Sequence, residues 1–491
     1  MNVLIRCLAG VLLFLLLVIA PSPARSLETL TPEQAAEDVR VLRRALLELH
    51  PGLTKYQSEA EWQAKLARFE AAGQAARTPE ALYLAASELA AGIRCGHTWT
   101  NVLNQQGAIK SKLLEAPNKL PFRLQWVADR LLVMDSVDGR VRRGDEILTI
   151  NGANPAQIRT MLWPYLRADG ASDQKRLRQL GHDRFDYSQM DITWPLLSPP
   201  VDGRWRVQVK RGAKQRTVSV KAVSLKARAT RLADQGIQPE SEAWQFKVEG
   251  QTARLTLPTF SFWNSDFDWK AFLRQSFKSM SEQDVHTLVI DIRANEGGDG
   301  AIGARIVQHL IDEPIQFESN QSATRYERVP YILARYLDTW DFGFFDRTGQ
   351  VRPIADGPQA GMLEFLPRAH GKQTFEPIAP QFRGKVFLLI GGENSSATFQ
   401  FAQLAQTKGV ATLVGQSTGG NRRGLSGGQL AWVNLPNSGV AVDIPLLATR
   451  FGADTPDAPI HPDIEVERTF EGQRAGIDEE MAMVQKLMAE D

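Results

Sequence analysis

Three short stretches concentrate the side chains suited to acyl chemistry. The first, GGENSSATFQFAQLAQTKG (391–409), follows the apolar run Val386–Ile390 and sets Ser395 and Ser396 where a buried strand gives way to a helix. A helix start presents unpaired N–H groups and partial positive charge. A hydroxyl there can attack a carbonyl while the Ala397 N–H receives the developing oxyanion. Helix starts also favour serine as an N-cap, so the residues alone leave both roles open, with Ser395 able to cap or orient and Ser396 to attack. The second stretch, LVIDIRANEGGDG (288–300), runs a buried strand into a polar turn with Gly297 and Gly298. Paired glycines permit positive φ and let a substrate approach bare backbone amides, although the same pattern serves as an ordinary connection in α/β proteins. The third, GIRCGHTWTNV (92–102), places His97 in a glycine-flanked turn after a helix. A serine nucleophile needs a base, and an imidazole suits neutral pH. Cys95, two residues before His97, reads as a buried structural thiol.

The elements that must position these groups fall into three parts. Thr31-Pro32-Glu33-Gln34, Ser58 with Glu61, and Thr78-Pro79 each open a helix, and the third runs out near Gly92. From Leu120 to Val223 the pattern is strand-like. Glu146–Ile150 alternates, Asn151-Gly152 is a hairpin signal, Asn154-Pro155 starts a helix, and Arg211–Lys214 joins two further strands. Residues Trp163–Leu180 read as an insertion or the module's helix. Beyond Ala243, strands and helices alternate: Arg254–Leu257, Phe267–Phe277, Thr287–Ile292, Ile302–Leu310, Val386–Ile390, the helix after Ser396, and Ala411–Gly415. Asp312–Pro380 has little period and reads as a long insertion, a lid or substrate wall. The expected division is an N-terminal helical domain at 27–115, a β-rich domain at 118–225 and an α/β core at 240–491 with its insertion at about 312–380.

The chain has 491 residues, enough for two or three cores. A formal net charge of +1 gives no field for nucleic acid or an anionic membrane. Arg6, the apolar run Leu8–Ala20 and the small residues Pro21–Ala24 read as a secretory signal at 1–24, with an uncleaved anchor as the rival. Its removal leaves Cys95 alone, so no intrachain disulfide is available. A secreted or periplasmic protein without stable membrane insertion is expected. No His/Cys cluster offers metal-ligand spacing, and no metal or organic cofactor is expected.

In order and wording the motifs resemble the tail-specific, or C-terminal processing, serine peptidases, in the branch of the tricorn core and interphotoreceptor retinoid-binding protein. GDEILTINGANP (144–155) resembles a PDZ domain. The resemblance implies an α/β, crotonase-like (ClpP/crotonase) core and hydrolysis of peptides or protein C-terminal regions. It makes Ser396 the nucleophile, His97 the base, and the amides of Gly297, Gly298 and Ala397 the oxyanion hole. Six residues beyond Gly415, where the processing branch has a lysine, stands Asn421. The dyad is therefore missing, Arg422 and Arg423 cannot replace it, and Asn421 is expected to be dispensable. The histidine branch puts a glutamate six residues before the proline of Pro462-Asp463-Ile464, which here is Pro456. Asp457, or Asp454, is the expected third member. The alternative is an inactive peptide- or ligand-binding protein on the same scaffold. Oligomeric state is left open.

Overall fold

The computed structural model describes residues 29–182, 187–237, 243–318, 321–366 and 372–490; the expected signal at 1–24 lies outside them. Among the described residues, no helix is long and apolar enough to cross a membrane.

The helical part begins with α1 (Pro32–Leu49), α2 (Glu59–Ala75) and α3 (Pro79–Gly92), each opened by the expected hydroxyl cap. Thr31 and Gln34 form a reciprocal capping box, as do Ser58 and Glu61. The apolar faces of these helices bury Leu42, Leu46, Trp62 and Leu82 against Val433, Val442 and Ile444 from the far end of the chain. The turn after α3 therefore rests on late strands, and the backbone of Trp99 pairs with Asp443. Burial of one such leucine contributes roughly 1.5–3 kcal/mol.

A five-stranded antiparallel sheet follows, in the order β1 (Phe122–Val127), β2 (Arg130–Ser136), β3 (Glu146–Ile150), β4 (Arg204–Arg211), β5 (Lys214–Lys221). The tight turn between β4 and β5 is the expected one. Asn151-Gly152 makes a left-handed turn but joins no strand pair. Ile150 bridges back to Ala153, and Asn154 caps the helix Pro155–Leu162. Between β3 and β4 the chain also forms α4 (Asp173–Leu180), preceded by the loop 166–172.

The core is a six-stranded sheet. Its strands are β6 (Gln245–Glu249), β7 (Thr252–Thr256), β8 (Thr287–Asp291), β9 (Lys385–Ile390), β10 (Thr412–Gly415) and β13 (Ile464–Glu465), in the spatial order β13-β10-β9-β8-β7-β6. All neighbours are parallel except the β6–β7 pair. Every residue of β8 is buried, as a strand covered on both faces requires. Helices α5 (Gly300–Leu310) and α6 (Ser396–Lys408) follow β8 and β9, and Gly409 closes α6 in a left-handed cap. Strands β11 (Leu430–Asn434) and β12 (Ala441–Pro445) form the sheet on which the helical part packs.

Residues 312–380 are not a structureless insertion. They contain short strands, among them Ser322–Thr324, Val351–Pro353 and Leu363–Phe365, which share a sheet with Ala448–Thr449. Strands of two to four residues are too short to show a period in sequence. The last described helix, α7 (Glu479–Ala489), is pinned to the core through Arg293, which bonds Asp478 at 2.7 Å and Glu480 at 3.0 Å. Burial alone would push Asp291 up, but Arg293 and Arg254 overcome it and hold the carboxyl at about 2. Arg293 and Asp291 thus tie strand to helix.

Candidate active site

Ligand sites in open parallel sheets lie beyond the carboxyl ends of the strands. Here the turns leaving β8 and β9, adjacent strands, are laced together by buried side chains. Asn394 donates to the carbonyls of Ile292 (2.5 Å) and Asn295 (3.0 Å), and Ser395 Oγ donates to Glu296 O (3.1 Å). Ser395 is the N-cap of α6 but makes no capping bond with its side chain. Ser396, the first helical residue, has φ 51°. That left-handed conformation is uncommon for a residue with a Cβ, and such strain clusters at functional sites.

The second turn presses against this serine. Gly297 has φ 132°, and a Cβ placed on it would lie 2.9 Å from Ser396 Cβ and 3.1 Å from Ala397 N. Only glycine fits. The Gly297 amide, expected as an oxyanion donor, is already used: it donates to Asn295 Oδ1 at 2.9 Å. Gly297 therefore contributes close approach, not a free N–H. The N–H groups of Gly298 and Ala397 have no partner among the described residues.

His97 arrives from the helical part on a turn fixed by several bonds. Thr98 N–H donates to Cys95 O, and Thr98 Oγ1 pairs with the buried His50 Nε2 at 2.7 Å. The His97 ring lies along the Gly427 backbone, where a Cβ would be 3.3 Å from its Cδ2 and Cε1. Its Nδ1 is buried without a hydrogen-bond partner. Burial lowers the ring's pKa below the usual value, opposed mainly by the negative charge of Asp169. The imidazole is consequently neutral at neutral pH. Burial pushes the Cys95 thiol up to about 11, in keeping with a structural role.

The segment 167–175 joins the two halves. Arg167 donates to Gly96 O, beside His97, and to Glu296 Oε1 at 2.8 Å, beside Gly297, while its guanidinium stacks 4.0 Å from the Trp99 ring. Gly96 N–H donates to Asp169 Oδ1 at 2.8 Å, and Gly170 N–H to Arg94 O at 2.9 Å. On the other side, Ser172 Oγ donates to Gly420 O at 2.6 Å. Lys175 Nζ reaches Glu296 Oε1 at 2.7 Å and Ser395 Oγ at 3.4 Å. Asp169 and Ser396 line one cavity of about 230 Å³, together with Phe399, Asn421, Arg422 and Phe451.

The two expected acids do not take the place foreseen for them. Asp457 Oδ1 accepts from Ala171 N–H (2.8 Å) and from Asn421 Nδ2 (2.7 Å), so it anchors the 167–175 segment. The carboxylates whose charge acts on His97 are Asp169 and Glu296. Asp454 stands exposed in a turn. Spacing from the Pro462 motif fixed a region of the chain, and there Asp457 is engaged by Ala171 and Asn421. Asn421 is structurally engaged: it is buried and clamps Asp457 to the Asp169 backbone carbonyl (3.2 Å). Sequence reasoning missed Arg167, Asp169 and Lys175 altogether. A cluster of ionisable residues in an otherwise unassigned insertion was the available signal.

Residues 251–466 match the model of peptidase family S41. They form an S41 peptidase domain. The chain is accordingly a serine-type peptidase. No curated protein sequence matches the chain. Among solved structures, it is similar to mature CPAF complexed with lactacystin, at 17% identity and a TM-score of 0.62, over 93% of this chain and 98% of that one. A second structure of mature CPAF aligns at 16% identity and a TM-score of 0.60, over 93% and 97%. These likenesses cover the helical part and the antiparallel sheet as well as the S41 domain, and show that the arrangement of parts is shared. The S41 match includes Ser396 and both glycines but not His97, which lies outside it.

Proposed function

We propose that this chain is an exported peptidase in which Ser396 is the nucleophile and His97 the general base, acting on peptides or protein C-terminal regions. The core, 240–491, is read as crotonase-like, with the helical part at 27–115 and a PDZ-like module at 118–225 able to hold an extended peptide by strand addition. Ser396 Oγ attacks the scissile carbonyl carbon as His97 Nε2 takes the hydroxyl proton. The N–H groups of Gly298 and Ala397 stabilise the oxyanion. His97 then gives the proton to the departing amine as the C–N bond breaks, leaving an acyl-serine that water hydrolyses with His97 again as base.

The observation that carries this reading is the left-handed backbone of Ser396 at the head of α6, with the N–H groups of Ala397 and Gly298 unpartnered among the described residues. A helix cap needs no such conformation, since cap residues are extended, as Ser395 is with φ −137°. Ser396→Ala should reduce peptide hydrolysis about 10⁴-fold or more, with little change in thermal unfolding. Ser395→Ala should retain far more activity. Activity surviving in Ser396→Ala would remove it as nucleophile. A folded wild-type chain that cleaves no peptide would favour the binding-protein reading.

A further inference from the structure

We propose that Asp169, carried by the loop before α4, is the carboxylate that orients the His97 imidazole and supports its charge during the reaction. The inference rests on the Ser396–His97 reading and adds the member that reading lacks.

Two unused groups point to it. His97 Nδ1 is buried with no hydrogen-bond partner, a costly condition for a ring nitrogen. Asp169 is itself buried, and only its Oδ1 is engaged, by the N–H of Gly96, the residue preceding His97. Asp169 Oδ2 has no partner among the described residues and lies close against the same turn, 2.5 Å from where a Gly96 Cβ would stand. A side chain at residue 96 would thus evict the carboxylate. Asp169 also opens onto the cavity that holds Ser396.

The other charged groups around the ring are less suited. Glu296 Oε1 is shared by Lys175 and Arg167, so its charge is already matched. Those two cations disfavour protonation of His97. Asp457 is occupied by Ala171 and Asn421 and serves to hold the Asp169 loop in place. Asp169 is left as the carboxylate able to accept the Nδ1–H hydrogen bond, directly or across one water, fixing the tautomer with Nε2 toward Ser396. Acceptance at Nδ1 involves no net transfer of the proton, which stays on the ring.

A consequence concerns assembly. The positioning carboxylate comes from the antiparallel-sheet part, the base from the helical part and the nucleophile from the S41 domain. Docking of the 167–175 segment then completes the site.

The test uses the full mature chain with Asp169→Asn and Asp457→Asn. Asn at 169 keeps the acceptor for Gly96 N–H, so the turn is retained. We expect kcat to fall about 10²- to 10⁴-fold with KM little changed. The acid limb of kcat/KM, already below pH 6.5 in the wild type because burial disfavours the imidazolium, should move lower still. The sign follows from Asp169 being the main charge that favours protonation. Asp457→Asn should cost several-fold without moving the limb. A limb that moves in Asp457→Asn and stays fixed in Asp169→Asn overturns the assignment. So does an Asp169→Asn protein that reacts with a fluorophosphonate at the wild-type rate. Failure of the wild type to react would instead strike the Ser396 reading itself.

Discussion

Two segments of the chain meet at the site and differ in how openly they declare themselves. The turn Gly391–Ala397 is local: strand, serine pair and helix follow in a few residues, and the chemistry is written in their order. The segment Arg167–Lys175 is not. It has no period, no motif and no glycine pair, yet it bonds the His97 turn on one side and, through Lys175 to Ser395 Oγ, the Ser396 turn on the other. In the proposed reading the serine turn supplies reactivity through backbone strain and amides that are unpartnered among the described residues. The bridging segment supplies placement through long-range hydrogen bonds. Local chemistry can be read from neighbours in sequence, and placement cannot.

Damage on each side should therefore look different. Among changes that leave the reacting groups in place, the larger effect is expected from Gly297→Ala on the nucleophile side. With φ 132° and a Cβ 2.9 Å from Ser396 Cβ, the alanine must push the serine aside. A displacement of that size should lower kcat/KM about 100-fold or more. Circular dichroism and a melting curve would show whether the loss is confined to the site. A Gly297→Ala enzyme of near-normal rate would mean that the two turns are not held as tightly as their contact implies.

A smaller effect is expected on the bridging side from Asn421→Ala. This change removes the hydrogen bonds to Asp457 and to the Asp169 carbonyl, each contributing about 0.5–1.5 kcal/mol. The loop loosens without losing a reacting group. Steady-state kinetics should show a several-fold lower kcat/KM, and hydrogen exchange should show faster opening of residues 167–175. Unchanged exchange with unchanged kinetics would deny the clamp any part in placement.

The same distinction explains what the sequence disclosed. The parallel strands β8 and β9 were legible because Leu288–Ile290 and Val386–Ile390 are unbroken buried apolar runs and the flanking turns are glycine-rich. The caps Thr31, Ser58 and Thr78 were legible because capping is a local bond. Ser396 and His97 were singled out by type and surroundings. Spacing to a downstream motif pointed to Asp457, but spacing fixes a region of the chain and not the partners of a carboxylate, which here are Ala171 and Asn421. The short strands within 312–380 escaped because two to four residues cannot express alternation. Gly297 was recognised as special, but its amide was credited to the oxyanion when Asn295 had claimed it.

The central claim is that Ser396, and not its neighbour, is the reactive hydroxyl. Peptide mapping by mass spectrometry after treatment with a fluorophosphonate tests it most directly. One adduct is expected, on Ser396, absent from Ser396→Ala and strongly slowed in His97→Ala. An adduct on Ser395, or none on a folded chain that still cleaves peptides, would contradict it.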